Sequence, residues 1–171
     1  NLFPYSCALP LIYLDNNATT QPRQAVIEAQ AQADTRFWAN SDSPHGLGQE
    51  AKQALHAAKK SIAAHLSCRA SELVLTSGAT EANNLALAGV FDAEQFRRKP
   101  RKQVLVSSIE HPSVLEVAEA LETRGALVDQ IEVDASGRVN LADLRSKLTP
   151  DTLLVSVMAA NNEVGTLQPI A

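Results

Sequence analysis

The chain has 171 residues, 45% of them hydrophobic, 20% charged and 4% aromatic, and a formal net charge of −4. That length is about one domain, and the charge gives no footprint for nucleic acid or an anionic membrane. No apolar run approaches the roughly 20 residues of a membrane span, and Cys7 and Cys68, far apart and in no metal-like spacing, fit free thiols in a reducing, cytoplasmic compartment.

Residues 1–14 are mildly apolar, but they lack a basic start and carry Pro4 and Pro10, which argues against a secretory signal. Leu11 to Leu14 is a short apolar segment. It runs into Asp15-Asn16-Asn17-Ala18-Thr19-Thr20, whose side chains suit turns and bonds to backbone or ligand. Pro22 suits the first turn of a helix, and Ala25, Val26, Ala29, Ala33 and Phe37 space its apolar face to about Trp38. Asn40 to Gly48 reads as a loop. His45, between Pro44 and Gly46, is a candidate for facing a ligand, or simply a member of a surface loop. Ala51, Ala54, Leu55, Ala58, Ile62 and Leu66 predict a helix from about Gln49 to Leu66 with one buried stripe.

Leu73-Val74-Leu75 reads as a short buried strand. Thr76 to Thr80 then turns into a helix whose apolar positions are Ala82, Leu85, Ala86 and Gly89. A helix start offers unpaired N–H groups and a positive dipole end. Gly78 lets an anion come close, and Thr80 adds a hydroxyl, so the turn reads as a phosphate cradle. The competing reading is an ordinary cap in which Ser77 or Thr80 bonds the helix's own amides. Arg97, Arg98, Lys99, Arg101 and Lys102 form a basic cluster that reads as a solvated loop.

Gln103 to Ser107 predicts a strand. Glu110-His111-Pro112 predicts a helix start, with Val114, Leu115, Ala118 and Leu121 on its apolar face and Gly125 at its end. His111 could serve as a cap or as a site residue. Leu127 to Val133 predicts a strand, Asp134 to Gly137 a turn, Asn140 to Leu148 a short helix capped by Asn140, and Thr152 to Met158 a strong strand. The last runs into Asn161-Asn162-Glu163-Val164-Gly165, turn residues or an amide pair of a site. Alternating strands and helices from Leu73 onward mean an α/β fold with a mostly parallel sheet covered on both faces. Ligands bind outside the carboxyl ends of such strands. Ser77 to Thr80, Glu110-His111 and Asn161-Asn162-Glu163 are placed there, which points to a phosphorylated ligand and acid–base chemistry.

Taken together, Tyr13 to Thr20, Asn40 to Ala51, Thr76 to Ala86, Glu110 to Val114 and Asn161 to Gly165 resemble the class V pyridoxal-phosphate enzymes of aminotransferase fold. Within them the match is to cysteine desulfurases of the NifS/IscS-like branch. The resemblance implies part of a three-layer α/β/α large domain, with an N-terminal segment over residues 1–20 and the N-terminal portion of the large domain over residues 21–171. It implies pyridoxal 5′-phosphate as cofactor, with Ala79 and Thr80 at the phosphate. On the resemblance, His111 matches the imidazole that stacks on the cofactor ring and assists proton transfer, and Asn162 matches an amide near the cofactor's phenolic oxygen and the substrate carboxylate. The resemblance also implies that Asn17, Ala18 and His45 belong to the substrate neighbourhood. The implied reaction removes sulfur from L-cysteine, leaving alanine and a persulfide for iron–sulfur cluster assembly or other sulfur transfer. The implied partners are a sulfur-acceptor or scaffold protein and a second copy of the chain, with no metal.

The family's Schiff-base lysine, the Asp that pairs with the pyridine nitrogen, and the nucleophilic Cys have no counterpart among these residues, and Ser41 stands where relatives usually carry Pro. The expectation is therefore a piece of a larger enzyme, inactive by itself. Two other readings stay open: a truncated or split non-catalytic chain of the same fold, and a related class V lyase or aminotransferase such as a selenocysteine lyase.

Overall fold

The computed structural model describes residues 12–170. They fall into two compact units that meet in sequence between Leu75 and Thr76. Cys7 and Leu11, the first residue of the Leu11–Leu14 segment, lie outside the described residues.

The first unit is helical. Asn16 to Ala18 form a turn closed by the Ala18 N–H on the Asp15 carbonyl (3.2 Å) and tied from Tyr13, whose hydroxyl donates to the Asp15 and Thr19 carbonyls. Helix α1 spans Gln24–Arg36 and helix α2 Gly46–His65. The second starts three residues before the predicted Gln49, because the His45 ring accepts the Gly48 N–H at its entrance. Its predicted stripe is only partly buried. Ala51 is covered, but Leu55, Ile62 and Leu66 are 42%, 44% and 62% exposed. A single 3₁₀ turn, Ala70–Glu72, follows, held by Arg69 and Glu72.

Leu73 to Leu75 form no strand, contrary to the sequence expectation. Leu73 has extended backbone, but no ladder partner among the described residues lies beside it, and Val74 and Leu75 are 69% and 54% exposed. An apolar run fixes a strand only where a neighbouring strand accepts its hydrogen bonds.

The second unit is the α/β layer structure. It runs α3 (Ala79–Gln95), β1 (Gln103–Ser107), α4 (Pro112–Glu122), β2 (Leu127–Ile131), α5 (Leu141–Lys147) and β3 (Thr152–Ser156). The three strands are parallel in the order β2-β1-β3, so β1 is central and buried along its whole length. Successive side chains of a strand point to opposite faces. Val104 and Val106 pack under α3 and α4 with Leu87, Phe91, Val114 and Leu121, while Leu105 packs on the other face with Ile131, Val139 and Leu144 of α5. Both faces are thus covered, as a parallel sheet requires. Pro112 opens α4 and Gly125, at φ +93°, closes it, its N–H on the Glu122 carbonyl. Strands β2 and β3 end earlier than predicted, at Ile131 and Ser156, where the chain leaves the ladder to build the loops at the carboxyl edge.

Glu94, 5% exposed, sits at the opposite end of the layer. Its carboxylate accepts from Arg101 Nε (3.1 Å) and pairs with Arg97 (3.0 Å), which spends two of the five cations of the basic cluster on the fold. The Arg101 hydrogen bond holds this carboxyl below the usual range, with a smaller contribution from the Arg97 charge. No helix among the described residues is long and apolar enough to cross a membrane.

Candidate functional site

All three strands point their carboxyl ends at one cleft of about 690 Å³. Its lining comes in three pieces, one after each strand: residues 109–112 after β1, 134–137 after β2 and 161–164 after β3. His111 and Asn162, predicted from distant parts of the sequence, share this cleft.

Its floor is held by Glu110. This side chain is 7% exposed, and one carboxylate oxygen accepts from Ser107 Oγ (3.1 Å) at the end of β1 and from the Met158 N–H (2.6 Å) beyond the end of β3. One acid thereby fixes the separation of two strand ends. Asn161 performs the equivalent task in the third loop. Its Oδ1 accepts the Glu163 and Val164 N–H groups (both 2.9 Å), its backbone bonds Thr166 and Gly165, and its Nδ2 donates to the Ile109 carbonyl (3.3 Å). Gly165 at φ +74° supplies the left-handed step that closes this loop. Asn161 shapes the loop, and the adjacent Asn162 side chain is exposed at the cleft.

The second wall was legible only as a turn. Asp134 Oδ1 accepts three donors: Ser136 N–H (2.8 Å), Ser136 Oγ (2.6 Å) and Arg138 N–H (3.1 Å). The Ser136 hydroxyl, first among them, holds this carboxyl below its ordinary value. The turn is stitched to the third loop, because Thr166 Oγ1 donates to the Ser136 carbonyl and Gln168 Nε2 to the Gly137 carbonyl (2.7 Å), while Gln168 Oε1 accepts the Val139 N–H (2.8 Å). A short-range turn signal carries no information about partners 30 residues away, so Asp134 to Gly137 went unrecognised as part of the site.

His111 is the residue before α4 and caps it: Nδ1 meets the Ser113 N–H (3.1 Å) and Ser113 Oγ (2.8 Å). Its Nε2 makes no hydrogen bond among the described residues. Capping and facing a ligand are therefore compatible, since they use different ring nitrogens. Ser113 Oγ also receives Asn83 Nδ2 of α3 at 2.8 Å.

Ala79 and Thr80 do not line the cleft. They form the first turn of α3, about 6 Å along the helix axis before Asn83 at 1.5 Å per residue. Among the described residues no side chain caps this helix. Gly78 is the capping position, and the Ser77 N–H and Oγ both go to Glu81 Oε2 (2.7 and 2.6 Å) rather than to the helix amides. Those bonds, the hydroxyl's first, lower the Glu81 carboxyl from its usual range. The cap reading of Ser77 and Thr80 is not what forms. Gly78 has extended backbone (φ 168°), and a Cβ placed there meets nothing within 4 Å, so neither strain nor crowding within the described residues calls for glycine. Open amides beside an open glycine fit a phosphate group.

Asn17, Ala18 and His45 belong to the first unit. Asn17 and Ala18 are exposed in the Asn16–Ala18 turn, and His45 is exposed with Nδ1 engaged by the Gly48 N–H at 3.3 Å.

Comparison with known proteins places this geometry. The cysteine desulfurase IscS of Methanosarcina thermophila is 40% identical over 93% of this chain and 39% of its own length. A structure described as a NifS-like protein superposes with a TM-score of 0.85 at 38% identity, over 90% of this chain and 42% of that one. Another, described as SspA in complex with cysteine, gives 0.83 at 32% identity, over 90% and 44%. The chain thus spans about two fifths of the length of the curated relatives it matches. The family model for class-V aminotransferases matches residues 12–171, and the chain belongs to the class-V aminotransferase family.

Proposed function

We propose that this chain is part of a pyridoxal-phosphate-dependent cysteine desulfurase. The observation that carries the reading is the meeting of His111 and Asn162 at one cleft across the carboxyl ends of three parallel strands. The names of the similar proteins, desulfurases among them and one described with bound cysteine, supply the substrate.

The α3 start would hold the cofactor's phosphate through the Ala79 and Thr80 amides, aided by the Thr80 hydroxyl and the helix dipole. When bound, pyridoxal phosphate supplies an electron sink for chemistry at the substrate's α-carbon and β-carbon. His111 presents Nε2 to the cleft, the atom at which a proton is held or moved. Asn162 offers an amide to the cofactor's phenolic oxygen or to the substrate carboxylate. Glu110 and Asn161 orient without touching ligand. Residues 1–20 read as an N-terminal segment and residues 21–171 as the N-terminal portion of the large domain, on the family resemblance. Asn17, Ala18 and His45 are assigned to the substrate neighbourhood, the acceptor of sulfur to a scaffold or carrier protein, the whole enzyme to a homodimer, and its location to the cytoplasm, on the family resemblance.

In the full-length protein, His111→Ala is expected to lower desulfurase turnover at least tenfold, toward the roughly 10²–10⁴-fold contribution of a placed acid–base group. The visible absorbance of bound cofactor is expected to persist. Unchanged turnover with cofactor in place would overturn the role given to His111.

A further inference from the structure

We infer that Asn83 and Ser113 are positioning residues that hold His111 in its Nε2–H tautomer, so that the resting ring offers the cleft a hydrogen-bond donor and not a base. The inference concerns the same site and takes its functional weight from the reading of His111 above.

The donor directions follow from valence. An asparagine Nδ2 only donates, so Asn83 uses the lone pair of Ser113 Oγ, 2.8 Å away. The single hydroxyl proton is then directed to His111 Nδ1, also at 2.8 Å. The Ser113 backbone N–H, 3.1 Å from the same nitrogen, likewise can only donate. Two donors meet Nδ1, and a proton on Nδ1 would set hydrogen against hydrogen. A neutral imidazole carries one proton, which is left on Nε2, the nitrogen without a partner among the described residues.

The backbone N–H alone would be ordinary capping. The hydroxyl and the amide behind it are additional, and they come from different elements: Ser113 from the first turn of α4, 7% exposed, and half-buried Asn83 from α3. The packed pair of helices therefore sets the ring's proton as well as its position. A base role at Nε2 requires Nδ1 to become protonated and the Ser113 donors to let go, so proton transfer waits on a rearrangement of the relay.

Asn83→Asp tests the polarity with almost no change in shape. A carboxylate cannot donate, so it takes the Ser113 hydroxyl proton, and Ser113 Oγ turns its lone pair toward Nδ1. Full-length, cofactor-free protein labelled with ¹⁵N-histidine is compared with His111→Gln to assign the ring signals. Wild type is expected to show an Nε2-protonated, Nδ1-unprotonated ring. In Asn83→Asp the Nδ1 resonance is expected to shift toward the protonated form, and in Ser113→Thr, which keeps the hydroxyl, to stay as in wild type. A wild-type ring protonated on Nδ1, or an Asn83→Asp ring identical to wild type, overturns the relay. These readouts use neither cofactor nor turnover. A relay that holds beside an undiminished His111→Ala turnover would sink the function assigned to His111 and leave the tautomer assignment standing.

Discussion

The stretches before and after the Leu75–Thr76 boundary draw on the same kinds of apolar residue and bury them to different degrees. Before it, Ala51 at 6% and Ala63 at 3% are the buried hydrophobic side chains among the described residues, while Val26, Ile27, Leu55 and Ile62 are all 42–55% exposed. After it, Leu105 and Ile131 reach 0% exposure and Phe91 2%, with core on both faces of the sheet. Among the described residues the first region has two helices with alanine-rich stripes and no strand, whereas the second has a central strand that presents large residues to helices on either side. Area removed from water follows from this, at roughly 25 cal/mol per Å².

The largest expected effect tests that contrast directly. Phe91→Ala should cost about 3–5 kcal/mol by opening a cavity in a site with little room to collapse. Leu55→Ala, already 42% exposed, should cost under about 1 kcal/mol. Denaturant midpoints of the two variants in the full-length protein check this, and similar losses would break the comparison.

A middle-sized effect sharpens it, because the first region has one crowded point. A Cβ on Gly48 would lie 2.8 Å from the Asn40 carbonyl oxygen and 2.8 Å from Ser43 Cβ, and would also clash with the Ser43 carbonyl oxygen. Two of those atoms are backbone and cannot swing away. Gly48→Ala should destabilise by about 1–3 kcal/mol through overpacking, despite the roughly 1 kcal/mol of helix propensity that alanine usually adds. A thermal midpoint equal to or above that of wild type would show that the 40–48 loop yields.

The smallest effect is with pH. Glu81, Glu94, Asp134 and Asp143 in the second region and Glu72 in the first are held below their usual values, chiefly by hydrogen bonds from Ser77, Arg101, Ser136, Lys147 and Arg69. A lowered folded pKa stabilises above the unfolded value of about 3.9–4.3 and is lost as pH falls through the folded value. Acid should therefore loosen the second region's loops more than the first's, as hydrogen exchange at Ser136 and Arg138 against Arg69 would register. Lys147, raised by its bond to Asp143, gives the opposite loss above pH about 10.4.

The parts of the fold legible in sequence were those written in local chemistry. His111-Pro112 and Gly125 bracket α4, Asn140 caps α5 through the Ala142 and Asp143 N–H groups, and the apolar run of β1 is buried throughout. Leu73 to Leu75 failed because strand formation depends on a partner that periodicity does not reveal. At the site, His111 and Asn162 were found from family-like segments, and the structure sets them at one cleft. Glu110 is placed at this edge by the sequence beside His111, but its bracing role, like the whole of the Asp134 turn, is not legible there, because the partners lie far along the chain: Met158 for the first, Thr166 and Gln168 for the second.

Gln168 has a consequence for motion. Its amide grips the 137–139 backbone from both sides, accepting at Val139 and donating to Gly137, while its own N–H is held by the Ala159 carbonyl. Opening either loop breaks bonds in the other, so the two walls form a single cooperative opening unit. A ligand that stills one loop thereby slows solvent exchange in its neighbour, even where it makes no contact.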